Sequence, residues 1–359
     1  MACKKHPQYK GKAEPRGDCK DCWAIFDALG HTTKKLKGVR EKRELKRAAT
    51  QAVDQIEVLQ EKLAAAFAIK SHREELFGIV PFPALGGSEA TAFVVASDWH
   101  IEETVRSEEV NGLNEYSLAL SKKRAERFFQ VALHLTNLER KNTPIKTLVV
   151  AVLGDMITGR IHEENLEVCT LRPVDAAIRV QTYLRSGIEF LLRESDLNLL
   201  FVCCSGNHSR ITKKIHAATE EGNSLETFVY QSLAQLYVNE PRVRFQTTSS
   251  YHNYLKVYDT VLRFHHGHSI RYWGGVGGIT IPVNKKINEW NKSKWADLDV
   301  FGHFHQMFDG GNFIANGSMI GFNAFALRIG AAYEQPKQVF FVINKRWKEK
   351  ILVRPILFD

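Results

Sequence analysis

The sequence predicts an α/β (α+β) architecture: two packed mixed β-sheets flanked by helices, behind an N-terminal fifth of different character. Three observations carry this expectation. From residue 91 to about residue 240, apolar strand patterns alternate with long helical ones, as in strands joined by helical crossovers. Beyond residue 250 the pattern is richer in strands and closes on a hairpin. Before residue 78 no strand pattern occurs. The segments are therefore 1–30, 31–77, a linker over 78–90 and a main domain over 91–359. A chain of 359 residues accommodates one large domain with an appendage. Hydrophobic residues at 44% and charged residues at 25% are those of a soluble globular protein.

In the first segment, Cys3, His6, Cys19 and Cys22 are spaced C-x2-H-x12-C-x2-C. Two ligand pairs of this spacing can converge on one tetrahedral ion, and zinc is its usual occupant. So short a segment buries little apolar surface, and a structural zinc would supply the missing stability. Such a zinc knuckle serves DNA or protein recognition equally well. The second segment, from about Thr33 onward, reads as a basic helix, with eight Lys or Arg among the fourteen residues 34–47. Leu45, Ala49, Ala52, Ile56, Leu59, Leu63 and Ala66 then recur at alternating spacings of four and three, a short heptad seam over 45–66. That seam suits either packing against the body of the protein or a homo-oligomer. "GIVPFPALGGSEA" breaks the pattern with two prolines and paired glycines, which places the linker at 78–90.

The main domain follows in order. "ATAFVVASD" reads as a strand, "EYSLALSKKRAERFFQVALHLTNLERK" as a helix and "KTLVVAVLGD" as a strand. "PVDAAIRVQTYLRSGIEFLLRES" is helical, "LNLLFVCCSGN" a strand and "NSLETFVYQSLAQLYVNE" helical. "YLKVYDTVLRFHHGH" reads as a strand pair and "DLDVFGHFH" as a further strand, and the chain closes with the hairpin "KQVFFVINKRWKEKILVRPILF".

Strand after strand ends in a group able to bind metal: Asp98 and His100, Asp155, Asn207 and His208, His266 and His268, His303 and His305. In open α/β folds the ligand crevice lies at the carboxyl ends of the strands. Mixed oxygen and nitrogen donors without thiolates suit manganese, with iron or zinc as alternatives. So many ligands exceed the needs of one four-coordinate ion. Two divalent ions sharing a bridging carboxylate is the natural solution, an arrangement that activates water against a phosphoryl group.

"SDWH", "VLGD", "SGNH", "HHGH" and "GHFH" resemble the five ordered blocks of the calcineurin-like metallophosphoesterase superfamily, over about residues 90–330. The resemblance implies that 91–359 is a metallophosphoesterase domain with that family's two-sheet sandwich. It further implies that Asp98, His100 and His305 hold one ion, that Asn207, His266 and His303 hold the second, and that Asp155 bridges them. His208 would bind no metal and would sit over the phosphate as general acid or transition-state donor. His265 competes with His266 for its role, and the family pattern favours His266, leaving His268 on the substrate side. Metal blocks of this kind are similar to those of SbcD-type nucleases. A Cys/His knuckle ahead of such a domain resembles phosphoesterases of phage genomes.

Two departures stand out. Thr158 occupies the place of a second aspartate common in the family, and Ser209 that of an acidic partner for His208. Arg210, Arg160, His162 and Arg271 are candidate phosphate or substrate contacts, with Glu163, Glu164, Tyr272 and Trp273 near them in sequence.

Charge adds a partner. Residues 1–75 hold 17 Lys/Arg against 11 Asp/Glu, a surplus of six, whereas the remainder holds 32 against 29, a surplus of three. A basic arm attracts a polyanion, and DNA is the expected one. The expected function is thus a two-metal phosphodiesterase acting as a DNA nuclease. The alternatives are a phosphatase or phosphodiesterase for nucleotides or other small phosphoesters, or a nucleic-acid-binding assembly module. No window approaches ~18 unbroken apolar residues, and no apolar stretch follows the basic start. With cysteines that fit a reducing compartment, a cytoplasmic location is expected, the host's if the chain is phage-encoded.

Overall fold

The computed structural model describes residues 3–72, 88–272 and 278–358. The chain divides into two compact units, Met1–Pro81 and Phe82–Asp359.

In the first unit, α1 runs unbroken from Lys20 to His72. The helix thus starts well before Thr33, and the expected boundary at 30 falls within it. Most of the 78–90 linker lies outside the described residues, as do Trp273 and the glycines at 274, 275 and 277.

In the second unit the strands are β1 (Ala90–Ala96), β2 (Ile145–Val152), β3 (Asn198–Cys203), β4 (Val243–Gln246), β5 (Asn253–Val257), β6 (Thr260–Phe264), β7 (Leu298–Phe301), β8 (Phe308–Asp309), β9 (Phe313–Ala315), β10 (Lys337–Asn344) and β11 (Glu349–Leu357). The first sheet has the order β11-β10-β1-β2-β3-β4 and the second β5-β6-β7-β9-β8. Both are mixed. β1, β2, β3 and β4 pair in parallel, while β10 joins β1 antiparallel and carries β11 as the terminal hairpin. In the second sheet β6, β7 and β9 are parallel, with antiparallel β5 and β8 at the edges. Parallel pairs need crossovers, which are supplied by α2 (Leu118–Arg140), α4 (Pro173–Glu194), α5 (Leu225–Leu236) and α6 (Thr280–Asn291). Two shorter helices are α3 (Asn165–Val168) and α7 (Ala324–Arg328).

The alternation of side chains along a strand explains the layers. Along β1, Phe93 and Val95 join Val149, Ala151, Leu153 and Val202 in a core shared with Leu262, Phe264, Val300 and Ile314 of the second sheet. The intervening Ala92, Val94 and Ala96 face the other way, into the core built with Phe128, Leu133, Val180, Leu184, Ile188 and Leu233 of α2, α4 and α5. On the far side of the second sheet, Val283 and Ile287 of α6 pack on Phe301 and Phe313. The architecture is the expected one of two mixed sheets between helices. It adds β4, β8, β9, α6 and α7, which the sequence pattern does not announce. Among the described residues no helix is long and apolar enough to cross a membrane.

Candidate metal centre

Strands β1, β2, β3, β6 and β7 each end at one rim of the sheets, and the backbone there takes an unusual form. Among the described residues eight non-glycine positions have positive φ, and five of them are Asp98, His100, Asp155, His303 and His305. Each costs of order 1–3 kcal/mol, and such strain persists only where surrounding structure over-determines it. Here the support is visible. The Asp98 N–H donates to the Gly154 carbonyl, and the His100 N–H to the Asp155 carbonyl. The His303 N–H donates to both Asp98 carboxylate oxygens at 3.0 Å. Close approach dictates the glycines beside them. A Cβ on Gly206 would lie 2.1 Å from Asp155 Oδ1, and one on Gly302 2.3 Å from Asp98 Oδ2.

Two ligand groups result: Asp98 with His100 and His305, and Asp155 with His266 and His303, the ligand atoms within each group lying inside 4.8 Å of one another. In the first, His305 Nε2 is 3.4 Å from Asp98 Oδ1, and the His100 and His305 rings are 5.2 Å apart. In the second, His266 Nε2 is 2.8 Å from Asp155 Oδ2, and the His266 and His303 rings are 5.2 Å apart.

Hydrogen bonds on the opposite ring nitrogens set the imidazole tautomers. His100 Nδ1 pairs with the Thr158 hydroxyl at 2.9 Å, and that hydroxyl donates to Glu103 Oε2 at 3.1 Å. His266 Nδ1 donates to the Leu153 carbonyl at 2.7 Å. Nε2 is thereby left as the lone pair facing inward, the usual arrangement for a metal-binding histidine. His100 Nε2 and Asn207 Oδ1 are buried and have no hydrogen-bond partner among the described residues. Leaving such groups unpaired costs about 1–3 kcal/mol each. A divalent cation is the partner that both a ring nitrogen and an amide oxygen accept, so these residues fit the ions the donor set suggests.

The electrostatics agree. Burial holds His100 and His303 well below the usual imidazole range, so both present neutral lone pairs. Burial would also lower His266, but the Asp155 carboxylate overrides it and pushes the ring up to about 10, so Nε2 of this ring carries a proton toward Asp155 that a cation would have to displace. Asp155 itself would be raised by burial, yet His266, His208 and His100 hold it well below the usual carboxylate range. Its charge is thus felt by His100 of the first group as well as by His266 of its own.

His208 belongs to neither ligand group but lies beside them. Its N–H donates to Asp155 Oδ1 at 2.8 Å, its Nδ1 to the Thr158 carbonyl at 3.0 Å, and its ring lies 5.0 Å from that of His100. The orienting role of an acidic partner falls to a backbone carbonyl. Ser209 is turned away, its hydroxyl 2.7 Å from that of Ser224.

The remaining candidates divide. His162 comes within 6.0 Å of the His208 ring. His268 pairs with Glu220 at 2.8 Å, its ring 5.6 Å from that of His266. Arg210 spends a guanidinium N–H on the Asn207 carbonyl. Arg160 and Arg271 are exposed, and no hydrogen bond or ion pair among the described residues joins either to the ligand groups. His265 points away from the site, 3.4 Å from Asp299 and stacked on Phe301, so the "HHGH" ambiguity resolves to His266.

Two carboxylates hold the loops together and escaped the sequence reading. Glu226 of α5 accepts from Met156 N at 2.6 Å and Gly206 N at 2.9 Å, tying the loop after β2 to that after β3. Glu102 accepts from Thr158 N and Gly159 N at 2.8 and 2.9 Å. Burial pushes both up to about 7. Glu102 is at least visible beside the first motif in "DWHIEE", whereas nothing in the pattern of α5 marks Glu226.

In the first unit, Cys3, His6, Cys19 and Cys22 form a third cluster. Cys3 Sγ is 3.5 Å from Cys19 Sγ, and Cys22 Sγ is 3.5 Å from His6 Nδ1. The early start of α1 creates it, because Cys22 lies in the first turn and its backbone amide, chiefly, pulls the Cys19 thiol down to about 6. All six cysteines are free.

No family model matches the chain, and no curated protein matches it. Solved structures similar to it include an archaeal phosphodiesterase, at 12% identity and TM-score 0.32, over 74% of this chain and 99% of that one. A conserved protein of Streptococcus pneumoniae described as a predicted phosphoesterase aligns at 13% identity and TM-score 0.30, over 71% and 83% of the two chains. Vacuolar protein sorting 29 of Cryptosporidium parvum aligns at 14% identity and TM-score 0.31, over 74% and 97%. Scores this low add nothing to what the geometry itself shows.

Proposed function

We propose that the protein is a two-metal phosphoesterase of the calcineurin-like type that hydrolyses phosphodiester bonds in DNA. The observation that supports this best is the convergence of two Asp/His groups on one rim, with Asp155 acting on both and with buried lone pairs aimed inward. Asp98, His100 and His305 would hold one divalent ion and Asn207, His266 and His303 the other, with Asp155 shared between them. Manganese suits this donor set, with iron or zinc as alternatives, and the Cys/His cluster takes a structural zinc. Bound ions would supply Lewis-acid polarisation of the phosphoryl oxygens and a nucleophile at neutral pH.

The chain's own residues do the rest. The Asp98 and Asp155 carboxylates hold the ligand loops through backbone N–H bonds, so the site is organised in advance of substrate. His208 keeps its Nδ1 proton on the Thr158 carbonyl and, carrying a second proton on Nε2, would pass that proton to the departing sugar oxygen and end as the neutral ring. DNA is favoured over a small phosphoester by the basic surplus of residues 1–75, which would draw a polyanion to the chain.

The test is hydrolysis with manganese by the full chain and by residues 76–359, on linear, circular and single-stranded DNA and on bis-para-nitrophenyl phosphate. The full chain should cleave DNA and the bis-ester. The shortened chain should keep the bis-ester activity and lose much of the salt dependence of DNA binding. Bis-ester cleavage with no polynucleotide cut would remove DNA as substrate and leave the site standing. Failure on every ester would remove both.

A further inference from the structure

Helix α1 is 53 residues long, and every described side chain from 37 to 64 is exposed. Leu45, Ile56, Leu59 and Leu63 are between 53% and 71% exposed and share one stripe with Ala49 and Ala52. Helices in proteins owe most of their stability to burying such a face, and a contiguous exposed apolar stripe marks an interaction surface. We propose that α1 pairs with α1 of a second copy of this chain, as an antiparallel two-stranded coiled coil centred on Asp54.

Side-chain volume and charge select this occupant and this orientation. A parallel in-register pair sets each layer against itself, so Ala49 meets Ala49 and Ala52 meets Ala52, two thin layers in succession. The antiparallel pair sets Ala49 against Leu59 and Ala52 against Ile56, with Leu45 and Leu63 closing each end. Large then faces small through the middle of the seam, which fills it evenly. Beside the seam, Val53 meets Val53 and Gln55 meets Gln55, so no like charges face each other there. Residues 34–47 carry eight Lys/Arg against Glu41 and Glu44, whereas 48–64 carry Asp54, Glu57 and Glu61 against Lys62. Parallel helices would lay the two basic segments side by side. Antiparallel helices carry them to opposite ends of the pair, where each stays open to a polyanion.

Sedimentation equilibrium of the full chain at micromolar concentration tests the proposal. A dimer is expected, and Leu59→Lys should weaken it roughly 100-fold or more while hydrolysis of the bis-ester is unchanged. Val53→Cys should form a disulfide-linked dimer on mild oxidation where the parent chain forms none, because these positions adjoin only in the antiparallel pair. A parent chain that sediments as a monomer, its stripe covered by its own chain or by nothing, overturns the proposal. So does a dimer that appears only with DNA, one indifferent to Leu59→Lys, or one that the Val53→Cys substitution fails to cross-link.

Discussion

Asp155→Asn is expected to abolish metal-dependent hydrolysis while leaving the fold intact. The Asp155 carboxylate does two separable jobs. Its Oδ1 accepts the His208 backbone N–H at 2.8 Å, a bond an amide oxygen can still accept, so the loop keeps its shape. Its negative charge, by contrast, sets the field on His266 and His100, and an amide cannot replace it. Removing a hydrogen-bond partner behind a metal ligand typically costs roughly 10–100-fold in activity, and loss of the shared ligand itself exceeds that. The measurement is turnover of the bis-ester with saturating manganese, beside circular dichroism and thermal melting of the same preparation. Turnover within a few-fold of the parent would place the chemistry elsewhere on the protein.

Asp299→Ala is expected to produce a large loss of stability. Arg263 on β6 and Asp299 on β7 are register partners, both almost wholly buried, and join through two bonds of 2.7 and 2.9 Å. Arg263 also donates to the Lys294 carbonyl and lies 5.1 Å from the Trp290 ring centroid. Alanine at 299 strands a buried guanidinium, which costs about 3–5 kcal/mol. In a unit of this size that lowers the melting temperature by roughly 6–20 °C. Replacing both partners, as in Arg263→Met with Asp299→Leu, should cost far less, because no uncompensated charge remains. Equal melting temperatures for the single and double variants would refute the ion-pair explanation. The pair matters to the site because β6 leads into His266 and β7 into His303, so it fixes the spacing of two ligands.

The sheets and the ligand rim were legible because burial and chirality leave few choices. β1, β2 and β3 each close on an apolar run, Phe93–Ala96, Leu148–Val152 and Leu199–Cys203, and only a turn with glycine or strained backbone brings a ligand to the end of each. What lay hidden depends on contacts that no local pattern encodes. β9 spans only Phe313–Ala315 and owes its existence to pairing with β7. Helix α1 begins at Lys20, where the short apolar face of Cys22 and Ile25 serves to close the Cys/His cluster and only the folded knuckle gives it a partner. Thr158, where the family pattern leads one to look for aspartate, works through its hydroxyl and carbonyl, which orient His100 and His208. Glu226 acts from a helix far along the chain, and only the folded loops reveal its partners.

The proposed hydrolysis requires two cations at the rim, and anomalous diffraction from manganese-soaked crystals reports on them directly. Two peaks are expected, one contacting Asp98, His100 and His305, the other Asn207, His266 and His303, with Asp155 reaching both. A fully soaked crystal with no peak among these seven residues, or with its peaks elsewhere, would contradict the account.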